Sequence, residues 1–132
     1  MTISPAEWLD YAKNSVGVAS EAARRSAASR AYYGAYHAVR PIAEPLALKR
    51  NVSLGSHEGL IKALTEVRTN DVGNQRANAY RSLGHLLSQA RVSRISADYK
   101  VNAAFTEKQV ATAIEEAEAV ISHIAAYESL LS

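Results

Sequence analysis

At 132 residues the chain can bury one substantial core but not two, so one domain spanning residues 1–132 is expected. Apolar residues make up 48% and charged residues 21%, a globular balance, and the absence of cysteine excludes disulfides, thiolate nucleophiles and cysteine-held zinc. The formal charge of only +2 hides an uneven distribution.

The first eight residues hold no basic segment followed by an apolar run, the pattern of a secretion signal. No stretch approaches the roughly 18 apolar residues of a membrane span. A cytoplasmic chain with no membrane partner is the expectation. The first helix is predicted over residues 5–16. Ser4 can accept from the first free amides, Pro5 suits the first helical position, and Glu7 completes a capping box. Trp8, Tyr11, Ala12 and Ser15 give this helix a face, and Gly17 marks its stop.

The second helix runs through an alanine-rich stretch, residues 20–40, with no turn signal. That length makes about six turns. At about 100° per residue, Ala28, Tyr32, Ala35, Val39 and Ile42 fall on one side as a core stripe. The opposite side carries Ala19, Ala23, Ser26, Ala27, Arg30, Tyr33, Gly34 and His37, nearly all small, so a further helix can approach it closely. A helix built this way packs on both sides and reads as the centre of a bundle. Pro41 and Pro45 each lack an amide hydrogen, so the helix is expected to end or kink near Arg40, with any continuation to Leu48 irregular.

Residues 49–55 read as a loop, and a third helix starts at Ser56 with Leu60, Ile61 and Leu64 as its apolar face. Residues 69–73 are a turn by composition. The fourth helix is predicted over residues 74–96. Tyr80, Leu83, Leu87 and Ala90 form its stripe; Arg76 extends the stripe backward, and Arg91, Arg94 and Asp98 extend it forward. Charged residues that continue a buried stripe mark either its wet end or a site. The fifth helix opens with Thr106 as N-cap and Gln109 in capping-box register. Its seam is Val110, Ile114, Ala117, Ile121, Ile124 and Leu131. No segment alternates as a strand does. The fold class is all-α, a single up-and-down bundle of four to five helices.

Charge is segregated along these helices. Six basic residues between Arg24 and Arg50 stand against Glu44, and five arginines between Arg68 and Arg94 stand against Asp71. Between Glu107 and Glu128 the balance reverses, with five glutamates and one lysine. Such separation favours an anionic partner on one side, RNA or a nucleotide, because the planar fork of arginine suits phosphate. The alternative is a set of solvated helix faces. His37, His57, His85 and His123 are scattered, with no i,i+4 pair and no carboxylate at ligand spacing, so neither a metal nor a cofactor is expected. No glycine-rich phosphate loop exists.

Two pairs of residues stand out. Arg94 and Asp98 lie i,i+4 on one face, with Tyr99 next to them: an intrahelical ion pair or part of a site. Arg30 and His37 lie two turns apart, about 10 Å along the axis, a phosphate-binding cation and a proton carrier. The alternative for that pair is an Arg30 bound to Asp98 or a glutamate of the last helix, and a His37 packed as an aromatic. Arg91 and His57 complete the candidate phosphate binders, although His57 also reads as a helix-start histidine bonded to backbone. Tyr32, Tyr33 and Tyr36 read as core fillers with satisfied hydroxyls.

The words SRAYYGAYHA (residues 29–38), SHEG (56–59) and RISADY (94–99) also carry a resemblance. In that order and spacing they resemble the motifs of the central, third and fourth helices of HEPN domains, small all-helical domains of prokaryotic toxin–antitoxin and defence systems. The resemblance covers nearly the whole chain. It implies a metal-independent ribonuclease acting as a homodimer, with arginine-bearing helices facing each other across a cleft. It also implies, as for many such domains, a minimal nucleotidyltransferase antitoxin that modifies a tyrosine of the motif, which here would be Tyr99. In the family's ribonucleases the motif is arginine, four to six residues, then histidine. This chain departs from it: the fifth residue after Arg94 is Tyr99, preceded by Asp98, with no histidine nearby. Histidine titrates near neutrality and tyrosine does not. The favoured arrangement is a composite in which Arg94 takes the phosphate and His37 is a secondary contributor in the same cleft. The competing readings are a non-catalytic subunit that partners the nucleotidyltransferase, and a structural helical adaptor.

Overall fold

The structure, a computed structural model, describes residues 4–15, 20–49, 57–100 and 104–132. Among them six helical segments follow one another: α1 (Pro5–Ser15), α2 (Glu21–Lys49), α3 (His57–Thr65), α4 (Thr69–Val72), α5 (Asn74–Tyr99) and α6 (Glu107–Ala126). No strand occurs among the described residues, and the expected all-α bundle is what they form. The side chains of Trp8, Tyr11 and Ser15, the stop at Gly17, most of the loop after Lys49 and the start at Ser56 lie outside the described residues.

Local chemistry sets several helix ends. The Ser4 Oγ accepts from the Glu7 amide at 3.2 Å while the Ser4 amide donates to Glu7 Oε1 at 3.3 Å, the expected capping box. Ser20 Oγ accepts from the Ala23 amide at 3.1 Å. Thr106 and Gln109 form the second box, as read from the sequence. Residues 69–73, expected as a turn, close into the single turn α4, and Gly73 at φ 88° separates it from α5. That left-handed backbone suits glycine because no Cβ is present to clash.

α2 is the centre, and α1, α3, α5 and α6 all pack against it. The reason lies in its small residues. Ala27, Ala28, Ala31, Ala35, Ala43 and Ala47 are buried to 1% exposure or less and point in several radial directions, so four helices can come close. Ala27 and Gly34, read as part of a face open to another helix, are buried within the chain itself. α2 also runs straight through Pro41 and Pro45 to Lys49, where the sequence suggested an end or kink near Arg40. Each proline removes one helical hydrogen bond, at about 3 kcal/mol in a helix interior. Both prolines are exposed, one turn apart, while Val39, Ala43 and Ala47 keep the other side buried, and that packing holds the helix together.

The arginines divide by what they donate to. Arg25 gives hydrogen bonds to the carbonyls of Ser96, Ala97 and Lys100 at 3.2, 2.9 and 3.1 Å. It thereby satisfies the last turn of α5, which extends one turn beyond the expected end at Ser96. Arg24 Nε donates to the Phe105 carbonyl at 2.7 Å, and the Phe105 amide donates to Glu21 at 2.6 Å. Arg76 donates to the Leu130 and Ser132 carbonyls, and Arg81 to Val67 O and Thr69 Oγ1. Arg40 pairs with Glu44. The basic stretches are therefore largely structural: Arg24, Arg25, Arg76 and Arg81 hold chain crossings and helix ends rather than forming one anion-binding surface.

Candidate functional site

Where α2, α3 and α5 meet, the three sequence motifs come together. α5 contributes Arg91 and Arg94 one turn apart, then Asp98 and Tyr99. α2 contributes Tyr32, Tyr33, Tyr36 and His37. α3 contributes His57, its first residue. The helical period explains the grouping on α5, since residues three and four apart share a face. Against α2 the same face sets a guanidinium over phenol rings.

Arg94 Nη2 donates to the Tyr33 hydroxyl at 3.0 Å. Its Nε lies 2.8 Å from Asp98 Oδ2, an ion pair. The Arg94 guanidinium carbon sits 5.8, 5.4 and 5.7 Å from the ring centres of Tyr32, Tyr33 and Tyr99, within cation–π range. Its side chain is only 14% exposed. The Arg91 Nε is likewise buried without a hydrogen-bond partner among the described residues, but Arg91 has no ion pair there. Asp98 thus pairs with Arg94 alone, and the two guanidinium groups outnumber the one carboxylate.

Tyr32, 1% exposed, bonds through its hydroxyl to His57 Nδ1 at 2.6 Å. Burial pushes the Tyr32 phenol well above its ordinary value, against the pull of Arg91 and Arg94. Burial also lowers His57, and the charges of Arg94 and Arg91 lower it further. Both histidines of the cluster rest on the tyrosines. His57 lies 4.3 Å from the Tyr36 ring centre, and His37 lies 5.7 Å from Tyr36 and 6.4 Å from Tyr33.

The sequence candidates are therefore placed as follows. Arg91, Arg94, Asp98, Tyr99, His37 and His57 gather in one neighbourhood, with Tyr33 touching both Arg94 and His37. Arg30 is half-buried on α2, about a turn before Tyr33. In place of the backbone bond expected of a helix-start histidine, His57 Nδ1 meets the Tyr32 hydroxyl. Sequence reasoning missed that bond. The available signal was a hydroxyl inside a core stripe, which needs a buried partner. His123 is bonded to the Ala79 carbonyl at 2.9 Å and His85 is exposed, both away from the cluster. Among the described residues no group of three or more His, Asp or Glu is placed to hold a metal, and no helix is long and apolar enough to cross a membrane.

Compared with known families, residues 6–127 match the model of the HEPN domain. That match spans nearly the whole chain, and the chain belongs to the HEPN family. No curated protein and no solved structure matches it.

Proposed function

We propose that this HEPN domain binds the phosphates of RNA and cleaves the strand without a metal, as the toxin-type component of a prokaryotic toxin–antitoxin or defence system. One observation carries the reading: two half-buried arginines lie one turn apart on α5, and among the described residues Asp98 pairs with Arg94 while no carboxylate pairs with Arg91. A phosphate oxygen near them supplies the missing negative charge and accepts from the guanidinium forks of Arg91 and Arg94. In this reading Arg94 takes the phosphate, while Arg91 and Arg30 extend the basic track. His37, against Tyr33 and Tyr36, is the secondary contributor that moves a proton. Asp98 holds the Arg94 side chain in place.

The expected result is cleavage of single-stranded RNA that persists in EDTA. Binding should also weaken with salt, with a log–log slope of about −0.7 per phosphate contacted, because condensed counterions return to the strand. Affinity that is flat in salt would remove the phosphate reading. We further propose a two-fold homodimer whose second copy supplies the other wall of the cleft. Light scattering at micromolar concentration is expected to read twice the mass of one chain, and a monomer under those conditions would refute it.

A second reading is a non-catalytic subunit paired with a nucleotidyltransferase that modifies Tyr99. It is favoured by the exposure of that tyrosine, 67%, beside the Arg94 guanidinium. RNA that stays intact while Tyr99 becomes nucleotidylated in the presence of such an enzyme would select this reading over the ribonuclease.

A further inference from the structure

The hydrogen bond between Tyr32 and His57 has a directional consequence. Among the described residues the Tyr32 hydroxyl has one hydrogen-bond partner, His57 Nδ1, at 2.6 Å. A phenol has one proton to donate, and a buried hydroxyl without an acceptor is costly. Burial also keeps that proton on the phenol. Tyr32 is therefore the donor, His57 Nδ1 the acceptor, and the ring hydrogen sits on Nε2. Nε2 points away from the buried hydroxyl, and among the described residues it has no hydrogen-bond partner.

We infer that Tyr32 locks His57 in this one tautomer, so that a neutral imidazole presents its Nε2–H to an oxygen of the phosphate held by Arg91 and Arg94. The inference rests on the phosphate-binding reading above. The groups around the ring support neutrality. From α2 come the phenols Tyr32, Tyr33 and Tyr36, with His37 beyond the Tyr36 ring; from α5 come the cations Arg91 and Arg94. The neighbouring acid on α3, Glu58, is exposed, and Asp98 is paired with Arg94. Protonating Nδ1 would place a third cation beside two arginines and force the Tyr32 hydroxyl to turn, leaving its hydrogen unaccepted. His57 is thus a fixed donor and not an acid–base group. Proton transfer in this site falls to His37.

Ring-nitrogen NMR on the intact chain tests this directly, together with binding of a short single-stranded oligoribonucleotide. In the wild type His57 is expected as the neutral Nε2–H tautomer at pH 7, with that N–H shifting when the oligonucleotide binds. Tyr32→Phe, which keeps the ring and removes the donor, should release Nδ1, mix the tautomers and raise the His57 pKa. His57→Phe, which keeps the stack on Tyr36 without any N–H, should weaken binding roughly tenfold, one lost hydrogen bond to a charged acceptor. A thermal melt of each variant checks that it is folded. An Nδ1–H tautomer or an imidazolium in the wild type overturns the inference. Wild-type affinity in His57→Phe, with affinity lost in Arg94→Ala, overturns it alone and leaves the phosphate reading standing. A wild type that binds no oligonucleotide overturns both.

Discussion

Arg94→Ala is expected to reduce affinity for single-stranded RNA by about 10- to 100-fold and to abolish cleavage, with the fold intact. The range is that of hydrogen bonds to a charged partner, about 1.5–3 kcal/mol. The substitution also removes the donor to the Tyr33 hydroxyl and the partner of Asp98. Both losses are tolerable, because Tyr33 is half-buried and the Asp98 side chain is 25% exposed, so water can replace the arginine. Arg94→Lys keeps the charge but loses the fork, and should fall between wild type and alanine. A variant that melts early while binding RNA as before would mark Arg94 as a structural ion pair. His37→Ala then separates the two motifs. If His37 moves the proton, cleavage disappears while affinity stays near wild type. Should Arg94 work only with Asp98 and Tyr99, His37→Ala costs little and Asp98→Asn or Tyr99→Phe does the damage. Full activity in the Arg94→Ala, His37→Ala double variant would eliminate the composite site.

Gly84→Val is expected to destabilise the fold by about 3 kcal/mol, the upper range for forcing extra atoms into a packed contact. A Cβ at Gly84 on α5 would lie 2.6 Å from Thr65 Cγ2, 3.0 Å from Leu64 Cβ and 3.1 Å from the Thr65 amide nitrogen. The last two belong to the backbone and stem of α3 and cannot swing aside, so α3 itself has to move. His57 opens that helix, and its displacement should loosen the bond to Tyr32 along with the packing. Gly84→Ala should be milder, since alanine recovers up to about 1 kcal/mol of helix propensity. Chemical denaturation measures both. An unchanged midpoint in Gly84→Val would show that α3 can slide on α5 freely.

Much of the architecture was legible in the amino-acid order because it depends on local rules. The Ser4–Glu7 and Thr106–Gln109 boxes need only residues three apart, and the stripe Tyr80, Leu83, Leu87, Ala90 needs only the 3.6-residue period. The i,i+4 ion pair of Arg94 with Asp98 is local in the same sense. The motif words also pointed to the family and to Arg94 of α5. What the sequence misplaced was decided by contacts between distant residues. α2 continues past two prolines because packing against its neighbours outweighs the lost helical bonds. α5 runs on to Tyr99 because Arg25, about seventy residues earlier, satisfies its last carbonyls. The same donation removes Arg25 from the set of residues available to an anion, which a count of charges along the chain does not reveal. Tyr32 and His57, twenty-five residues apart, meet only where α2 and α3 pack. Hydrogen bonding and burial depend on which side chains share a volume, and periodicity fixes only which side chains share a face. The tertiary structure therefore commits Arg24, Arg25, Arg76 and Arg81 to backbone and side-chain oxygens of the chain itself and gives His57 its partner.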